Sequence, residues 1–220
     1  MNTDSCQPPI HLTALTPSRF WRRLGWWLML LLALFAAGNA VLFMLTDWVG
    51  GRDFRASLRD PFWLGAVHTL GGALAILIGP FQFVERFRRQ RPTWHRYLGQ
   101  LYLCAVFSSA SAGIFFALRP AGGAIAGTGL FALALCWITS GLIAWRFARK
   151  RQFAQHRWWM QINYAMTFAA ASLRIELGLL IASGLSFMQA FSIVGWSSWL
   201  GNLLVLFIAK AWLSRTIKPH

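Results

Sequence analysis

The sequence contains six apolar runs, each long enough to cross a lipid bilayer as a helix. They lie near residues 24–46, 62–83, 97–118, 122–145, 157–183 and 190–213. A hydrocarbon core about 30 Å thick requires roughly 20 helical residues. Each run must be helical, because lipid offers no hydrogen-bond partners to open backbone groups. The chain is therefore predicted to be all-α, a six-helix transmembrane bundle occupying residues 23–214.

The composition of the chain agrees with this prediction. Of its 220 residues, 57% are hydrophobic and 12% are charged, and the mean hydropathy is +0.49. A soluble domain seldom combines such apolarity with so few charges. The six runs and their short connections use nearly the whole chain, so we expect no separate soluble domain.

The positive charges predict how the bundle is oriented. The net charge of +15 would suggest nucleic-acid binding in a soluble protein, but here the basic residues lie in short clusters between apolar runs. Sixteen of them fall on one side of the predicted bundle: Arg19, Arg22, Arg23, Arg86, Arg88, Arg89, Arg91, Arg96, Arg146, Arg149, Lys150, Arg151, Arg157, Lys210, Arg215 and Lys218. The positive-inside rule places this side, and the terminal tails 1–22 and 215–220, in the cytoplasm. We therefore predict a bacterial inner-membrane protein whose partner is the lipid bilayer and not nucleic acid.

Two histidines at the predicted cytoplasmic mouths of spans suggest a cofactor site. His95 begins the third span and His156 begins the fifth, and helical phase places Tyr102 on the face of His95 and Asn163 on the face of His156. A b-type haem is held by imidazoles from facing helices, and its propionates suit nearby arginines. The pattern predicts His95 and His156 as haem iron ligands, with Tyr102 and Asn163 beside the cofactor. The alternative is that both histidines are only interface residues.

A second polar set is predicted in the outer half of the bundle. A central Arg or Asp costs about 2.5–3.5 kcal/mol on insertion scales, so such residues need a reason. His68, Arg174 and Glu176 share a depth of roughly 10–15 Å below the outer boundary. Gln82 shares a helix face with His68, and Asn202 lies nearer mid-depth. We predict that these five residues bind a small ligand. The alternatives are a hydrogen-bonded core histidine at His68 and pairing of Arg174 with Glu176 or helix-end carbonyls.

Five short motifs carry a resemblance to a known family. They are His68-Thr69-Leu70-Gly71-Gly72, Gly79-Pro80-Phe81-Gln82-Phe83, His95-Arg96-Tyr97-Leu98-Gly99-Gln100-Leu101-Tyr102, His156-Arg157-Trp158-Trp159-Met160 and Leu173-Arg174-Ile175. In this order they make residues 60 to 205 resemble a family of predicted bacterial membrane proteins, domain of unknown function 2306. The resemblance implies that His68, Gln82, His95, His156 and Arg174 belong to one shared design. It implies no catalytic role.

Three functions are compatible with these patterns. The first is a membrane redox protein with one haem b near the cytoplasmic face and a quinone-like ligand in the outer polar cavity. The second is a carrier or binding protein that holds a small anionic or lipid-like ligand through His68, Arg174 and Glu176. The third is an assembly factor for a respiratory complex, or a homo-oligomer, that uses its small-residue helix faces for docking.

Overall fold

A computed structural model describes residues 19–46, 52–119 and 122–216. Over these ranges the chain forms nine helices and no strand. The helices are α1 (Arg19–Leu45), α2 (Arg52–Leu58), α3 (Phe62–Gln82), α4 (Glu85–Gln90), α5 (Pro92–Ala117), α6 (Gly123–Arg149), α7 (Phe153–Thr167), α8 (Ala169–Ala182) and α9 (Phe187–Thr216). Of the predicted tails, residues 1–18 and 217–220 lie outside the described residues.

Six helical segments are long and apolar enough to cross a membrane. They are α1, α3, α5, α6, α9 and the joined pair α7–α8. The predicted all-α bundle of six spans is therefore confirmed. The short helices α2 and α4 connect spans at opposite ends. We call the end that carries α4 and the α6–α7 turn the basic end, because most Lys and Arg residues lie there.

Five of the spans extend beyond the predicted apolar runs. Helix α1 begins at Arg19, α5 at Pro92 and α7 at Phe153, α6 ends at Arg149, and α9 runs from Phe187 to Thr216. Backbone hydrogen bonds continue into the polar interface after the apolar residues have ended, so hydropathy alone predicts helices that are too short. Pro92 suits the first turn of α5, where its missing N–H has no helical acceptor. As a result His95 lies inside a helix, and its N–H bonds to the Arg91 carbonyl at 3.0 Å.

The fifth span is divided at Phe168, where α7 ends and α8 begins. The N–H groups of Ala171 and Ser172 both bond to the Phe168 carbonyl, at 2.9 and 3.2 Å, so the hydrogen-bond register changes at this point. Asn202 of α9 spans the break: its amide donates to the Ala165 carbonyl at 3.1 Å and accepts from the Ser172 hydroxyl at 2.9 Å. One side chain therefore holds both halves of the span.

Helices α3 and α5 approach each other closely. A Cβ atom at Gly71 would lie 3.1 Å from Ser109 Cβ and 3.3 Å from the Ala105 carbonyl oxygen. The missing side chain lets Ser109 reach α3, where its hydroxyl donates to the His68 carbonyl at 2.7 Å. This contact fixes the register of the two helices, and the buried core around Tyr102 and Val106 forms between α5 and its neighbours.

Candidate functional site

A hydrogen-bonded network at the centre of the bundle connects α5, α6 and α7. Tyr102 is fully buried, and its hydroxyl donates to Asn163 Oδ1 at 2.7 Å and lies 2.7 Å from the Thr167 hydroxyl. The Asn163 amide donates to the Trp137 carbonyl at 2.7 Å and to the Ser140 hydroxyl at 2.8 Å. The Trp137 indole N–H donates to Thr167 at 2.9 Å. Because the polar atoms of the Asn163 side chain all have partners, this network fixes the distance between α5 and α7.

The two predicted inner histidines occupy matching positions below this network. Helices α5 and α7 run in the same direction from the basic end, His95 precedes Tyr102 by seven residues, and His156 precedes Asn163 by seven. Seven residues are close to two helical turns, so each histidine lies on the same face as its partner, about 10 Å nearer the basic end. His95 is within electrostatic range of both His156 and Arg88. His95 and His156 therefore lie at a similar depth near the basic end, on two helices that run in the same direction.

The ring of His156 is held in one tautomer. Its Nδ1 lies 2.9 Å from the Ala144 carbonyl oxygen on α6. A carbonyl can only accept, so Nδ1 carries the proton and Nε2 of the neutral ring keeps its lone pair. Metal-ligating histidines usually donate their second ring nitrogen in this way. His156 is thus set up to use Nε2 as an acceptor or a metal ligand.

Gln82, at the end of α3, is a third polar residue at the basic end. A Cβ atom at Gly99, one turn after His95, would lie 3.3 Å from Gln82 Oε1, so the amide lies against α5. Gln82 Nε2 and His95 Nδ1 are both buried, and neither has a hydrogen-bond partner within the described ranges. An unpaired buried polar group costs about 1–3 kcal/mol. We call Gln82, His95 and His156 the basic-end cluster, and its unused hydrogen-bonding capacity suits a ligand.

The cluster offers two imidazoles rather than a complete set of ligands for a bare ion. Over residues 19–46, 52–119 and 122–216, no three His, Cys, Asp or Glu side chains gather as a metal site. Two imidazoles are one of the ligand sets that would hold a b-type haem.

The Gly79-Pro80 motif docks two helices beside the cluster. Pro80 has no N–H, so the Ile76 carbonyl lacks its helical donor, and the Tyr164 hydroxyl donates to that carbonyl instead, at 3.1 Å. The Tyr164 ring needs the space at Gly79, where a Cβ atom would lie 1.9 Å from Tyr164 Cε2. On the other side, the Trp26 indole N–H donates to the Pro80 carbonyl at 3.0 Å. The motif therefore attaches both α7 and α1 to α3.

His68 and Arg174 are used in contacts between helices. His68 Nδ1 lies 2.9 Å from the Ser109 carbonyl oxygen, so the ring is a hydrogen-bonded histidine between α3 and α5. Arg174 donates from Nε to Asn39 Oδ1 of α1 at 2.8 Å and from Nη1 to the Ala170 carbonyl at 2.5 Å. The charge of Arg174 is within electrostatic range of His68. Both predicted residues have protein partners on other helices or on their own.

The other three residues predicted to bind a ligand make contacts of their own. Glu176 accepts a hydrogen bond from Ser197 of α9, because two residues along a helix rotate the side chain by about 200° away from Arg174. Asn202 bridges α7 and α8, and Gln82 lies at the basic end, fourteen residues from His68. The ligand-binding role of these five residues stays a prediction: His68 and Arg174 interact electrostatically, whereas Glu176, Asn202 and Gln82 contact other parts of the bundle.

Sequence reasoning missed several residues that hold these groups in place. Asn39, Trp137 and Tyr164 all make hydrogen bonds described above. Asn39 carried a usable signal, since it is an amide inside the apolar run of α1 and therefore needs a polar partner. The indole of Trp137 and the phenol of Tyr164 carried none, because aromatic residues are frequent in any membrane span.

Two apolar grooves open at the surface of the bundle. The groove at the basic end has a volume of about 360 Å³ and is lined by Leu77, Ile78, Phe81, Phe87 and Leu98. A groove at the opposite end has a volume of about 310 Å³ and is lined by Ala117, Leu118, Ala124, Gly127, Thr128 and Phe131. Of these two grooves, only the one at the basic end is next to the basic-end cluster in sequence. Phe81 directly precedes Gln82, and Leu98 directly precedes Gly99, against which Gln82 lies.

Comparison with known proteins gives one match. A family model described as "Predicted membrane protein (DUF2306)" matches residues 65–209. No curated protein and no solved structure matches the chain significantly. The matched range contains the basic-end cluster, His68 and Arg174.

Proposed function

The chain belongs to this family of predicted membrane proteins, and on that premise we propose that it is a membrane electron-transfer protein that holds one b-type haem between α5 and α7. The observation that carries this proposal is the position of His95 and His156, each two turns below the Tyr102–Asn163 hydrogen bond. Helices α5 and α7 run parallel and are joined by this hydrogen bond. Side chains that lie two turns below it on each helix are therefore at the same depth and face each other.

The chemistry of the two imidazoles supports axial ligation. The Ala144 carbonyl leaves the lone pair of His156 on Nε2, which is the form that binds iron. His95 has a buried ring nitrogen without a partner in the described part of the chain. The completed network of Tyr102, Asn163 and Thr167 holds the backbones of α5 and α7 in place, so the ligands are positioned before any cofactor arrives. When bound, a haem supplies one-electron transfer.

The charge at the basic end supports the same site. Arg88 is within electrostatic range of His95, and further arginines follow in α4 and at the end of α6. Haem propionates are carboxylates, and arginine binds carboxylates with paired hydrogen bonds. In this proposal the basic residues near the cluster neutralise the propionates, in addition to determining membrane topology.

A spectrum of the purified protein tests the proposal. The full chain is expressed with added haem precursor and purified in mild detergent, and a reduced-minus-oxidised spectrum is recorded. We expect the Soret and α bands of a low-spin haem with two imidazole ligands. His95→Ala and His156→Ala should each abolish that spectrum, whereas His68→Gln should leave it unchanged. Wild-type protein that folds without a Soret band, or bands that survive both alanine variants, would rule out the proposed haem.

The carrier hypothesis has less support. An anionic ligand at His68 and Arg174 would compete with Ser109, Asn39 and Ala170 for the same nitrogen atoms. Glu176 faces a different helix and would not complete such a site. We therefore assign the His68–Arg174 pair a role in helix packing.

A further inference from the structure

We infer that the α7–α9 surface at the basic end binds the phosphate of an anionic phospholipid, with Lys210 as the principal contact. Lys210 belongs to α9, and its ammonium lies over the indole ring of Trp158 on α7, with 3.2 Å between Nζ and the ring centroid. This site uses neither His95 nor His156, so it goes beyond the proposed function and does not depend on it.

The depth of Lys210 in the membrane is unusual for a lysine. The apolar segment of α9 runs from Phe187 to Ser214, so Lys210 lies inside the span. It is six residues from Thr216, the last residue of α9, which corresponds to about 9 Å along the helix axis. A lysine at this depth extends its long apolar stem towards the headgroups and keeps its ammonium there. We therefore expect the ammonium at the depth of the lipid phosphates.

The surroundings of Lys210 are apolar and open to lipid. Phe207, Ile208 and Trp212 on the same helix are exposed large hydrophobic residues, and Lys210 is exposed as well. The Trp158 ring is held by an edge-to-face contact with Phe207, with 5.6 Å between the ring centroids. An anion that reaches an ammonium among such side chains has to be carried by the bilayer itself, as the phosphate of a lipid is.

No acidic side chain within the described ranges neutralises Lys210. The one described acid at the basic end is Glu85, and it pairs with Arg89 at 2.8 Å. The face of the Trp158 ring attracts the ammonium but leaves its net charge in place. An ammonium has three N–H donors, so those that point away from the ring are available to phosphate oxygens.

Further cations at the basic end favour a lipid with a net negative charge. Arg157 directly precedes Trp158 and is exposed, and the Arg149 guanidinium lies over the Trp145 ring, 5.7 Å from its centroid. Aromatic rings of this kind are typical of the membrane–water interface. Basic residues near the membrane surface attract anionic lipids, and each adds to the affinity. A zwitterionic lipid offers the same phosphate but also brings a cationic group into this positive field.

The test is lipid binding to the full chain in mild detergent, measured by native mass spectrometry. We expect dioleoyl phosphatidylglycerol to bind about fivefold more tightly than dioleoyl phosphatidylcholine, or better. Lys210→Met removes the charge at similar length and should reduce this preference to about twofold or less, whereas Lys210→Arg should retain it. The matched control is Lys150→Met, which removes an exposed lysine in the α6–α7 turn and should leave the preference unchanged.

Three results would overturn the inference. The first is equal binding of the two lipids by wild type, and the second is an equal loss in Lys210→Met and Lys150→Met, which would indicate diffuse charge attraction. The third is displacement of phosphatidylglycerol by inorganic phosphate or polyuridylic acid, which would indicate an anion site open to water. Crosslinking of a photoactivatable phosphatidylglycerol to wild-type protein avoids any effect of a substitution on folding. The crosslinks should map to residues 153–161 and 207–214, and crosslinks confined to α4 would contradict the site.

Discussion

Tyr164 supplies the hydrogen bond that Pro80 removes from α3. Its hydroxyl donates to the Ile76 carbonyl, which a residue with an N–H at position 80 would otherwise satisfy. Tyr164→Phe should therefore leave a buried carbonyl unpaired and lower the free energy of unfolding by about 1 kcal/mol. The measurement is reversible unfolding by SDS in mixed micelles. Tyr97→Phe is the matched control, since Tyr97 is 58% exposed, and it should cause no measurable change.

A second substitution isolates the cause. Pro80→Ala restores an N–H at position 80, so it should recover part of the stability lost by Tyr164→Phe. In the wild-type background the same change gives the Ile76 carbonyl a second donor and should help less. Equal effects of Pro80→Ala in both backgrounds would show that Tyr164 contributes through ring packing and not through this hydrogen bond.

Among the helices, the break between α7 and α8 is stabilised by a side chain of a third helix, α9. Asn202 bonds to Ala165 before the break and to Ser172 after it. Asn202→Leu should remove both contacts and destabilise the protein by about 1–2 kcal/mol, whereas Ser172→Ala removes only one and should cost about half as much. Hydrogen exchange should rise at the backbone amides of residues 166–172 in the Asn202→Leu variant. Unchanged exchange there would mean that helix packing alone holds the break.

The sequence predicts the existence of the helices much better than it predicts their details. Apolar length is enough to identify all six spans, because lipid permits few alternatives. It does not give the start of α5, since the helix passes through the interface as far as Pro92. It also misses the break at Phe168, where the chain has neither proline nor glycine and a side chain of α9 stabilises the irregular backbone.

For the candidate site too, the sequence predicts some relations between residues and misses others. Helical phase could group His95 with Tyr102 and His156 with Asn163, because each pair lies on one helix. The partners of Arg174 and Glu176 depend on which helices are neighbours, and periodicity does not contain that information. Arg174 bonds to Asn39, which is 135 residues earlier in the chain.

At the scale of the whole molecule, the charge asymmetry predicts which face of the membrane holds the histidine pair. The described basic residues concentrate at the end that carries α4 and the α6–α7 turn. If the positive-inside rule determines insertion, Lys150 lies in the cytoplasm and Ser183, in the α8–α9 turn, lies outside. The proposed haem would then lie near the cytoplasmic face.

Cysteine labelling tests this orientation directly. In a background in which Cys6, Cys104 and Cys136 are replaced by serine, Lys150→Cys and Ser183→Cys place one thiol at each end of the bundle, and both positions are exposed. In intact spheroplasts a membrane-impermeant maleimide should label Ser183→Cys, and it should label Lys150→Cys only after lysis. The reverse pattern would place the histidine pair at the outer face. The haem would then exchange electrons with partners outside the cytoplasm, and the arginines of α4 would need a role other than topology.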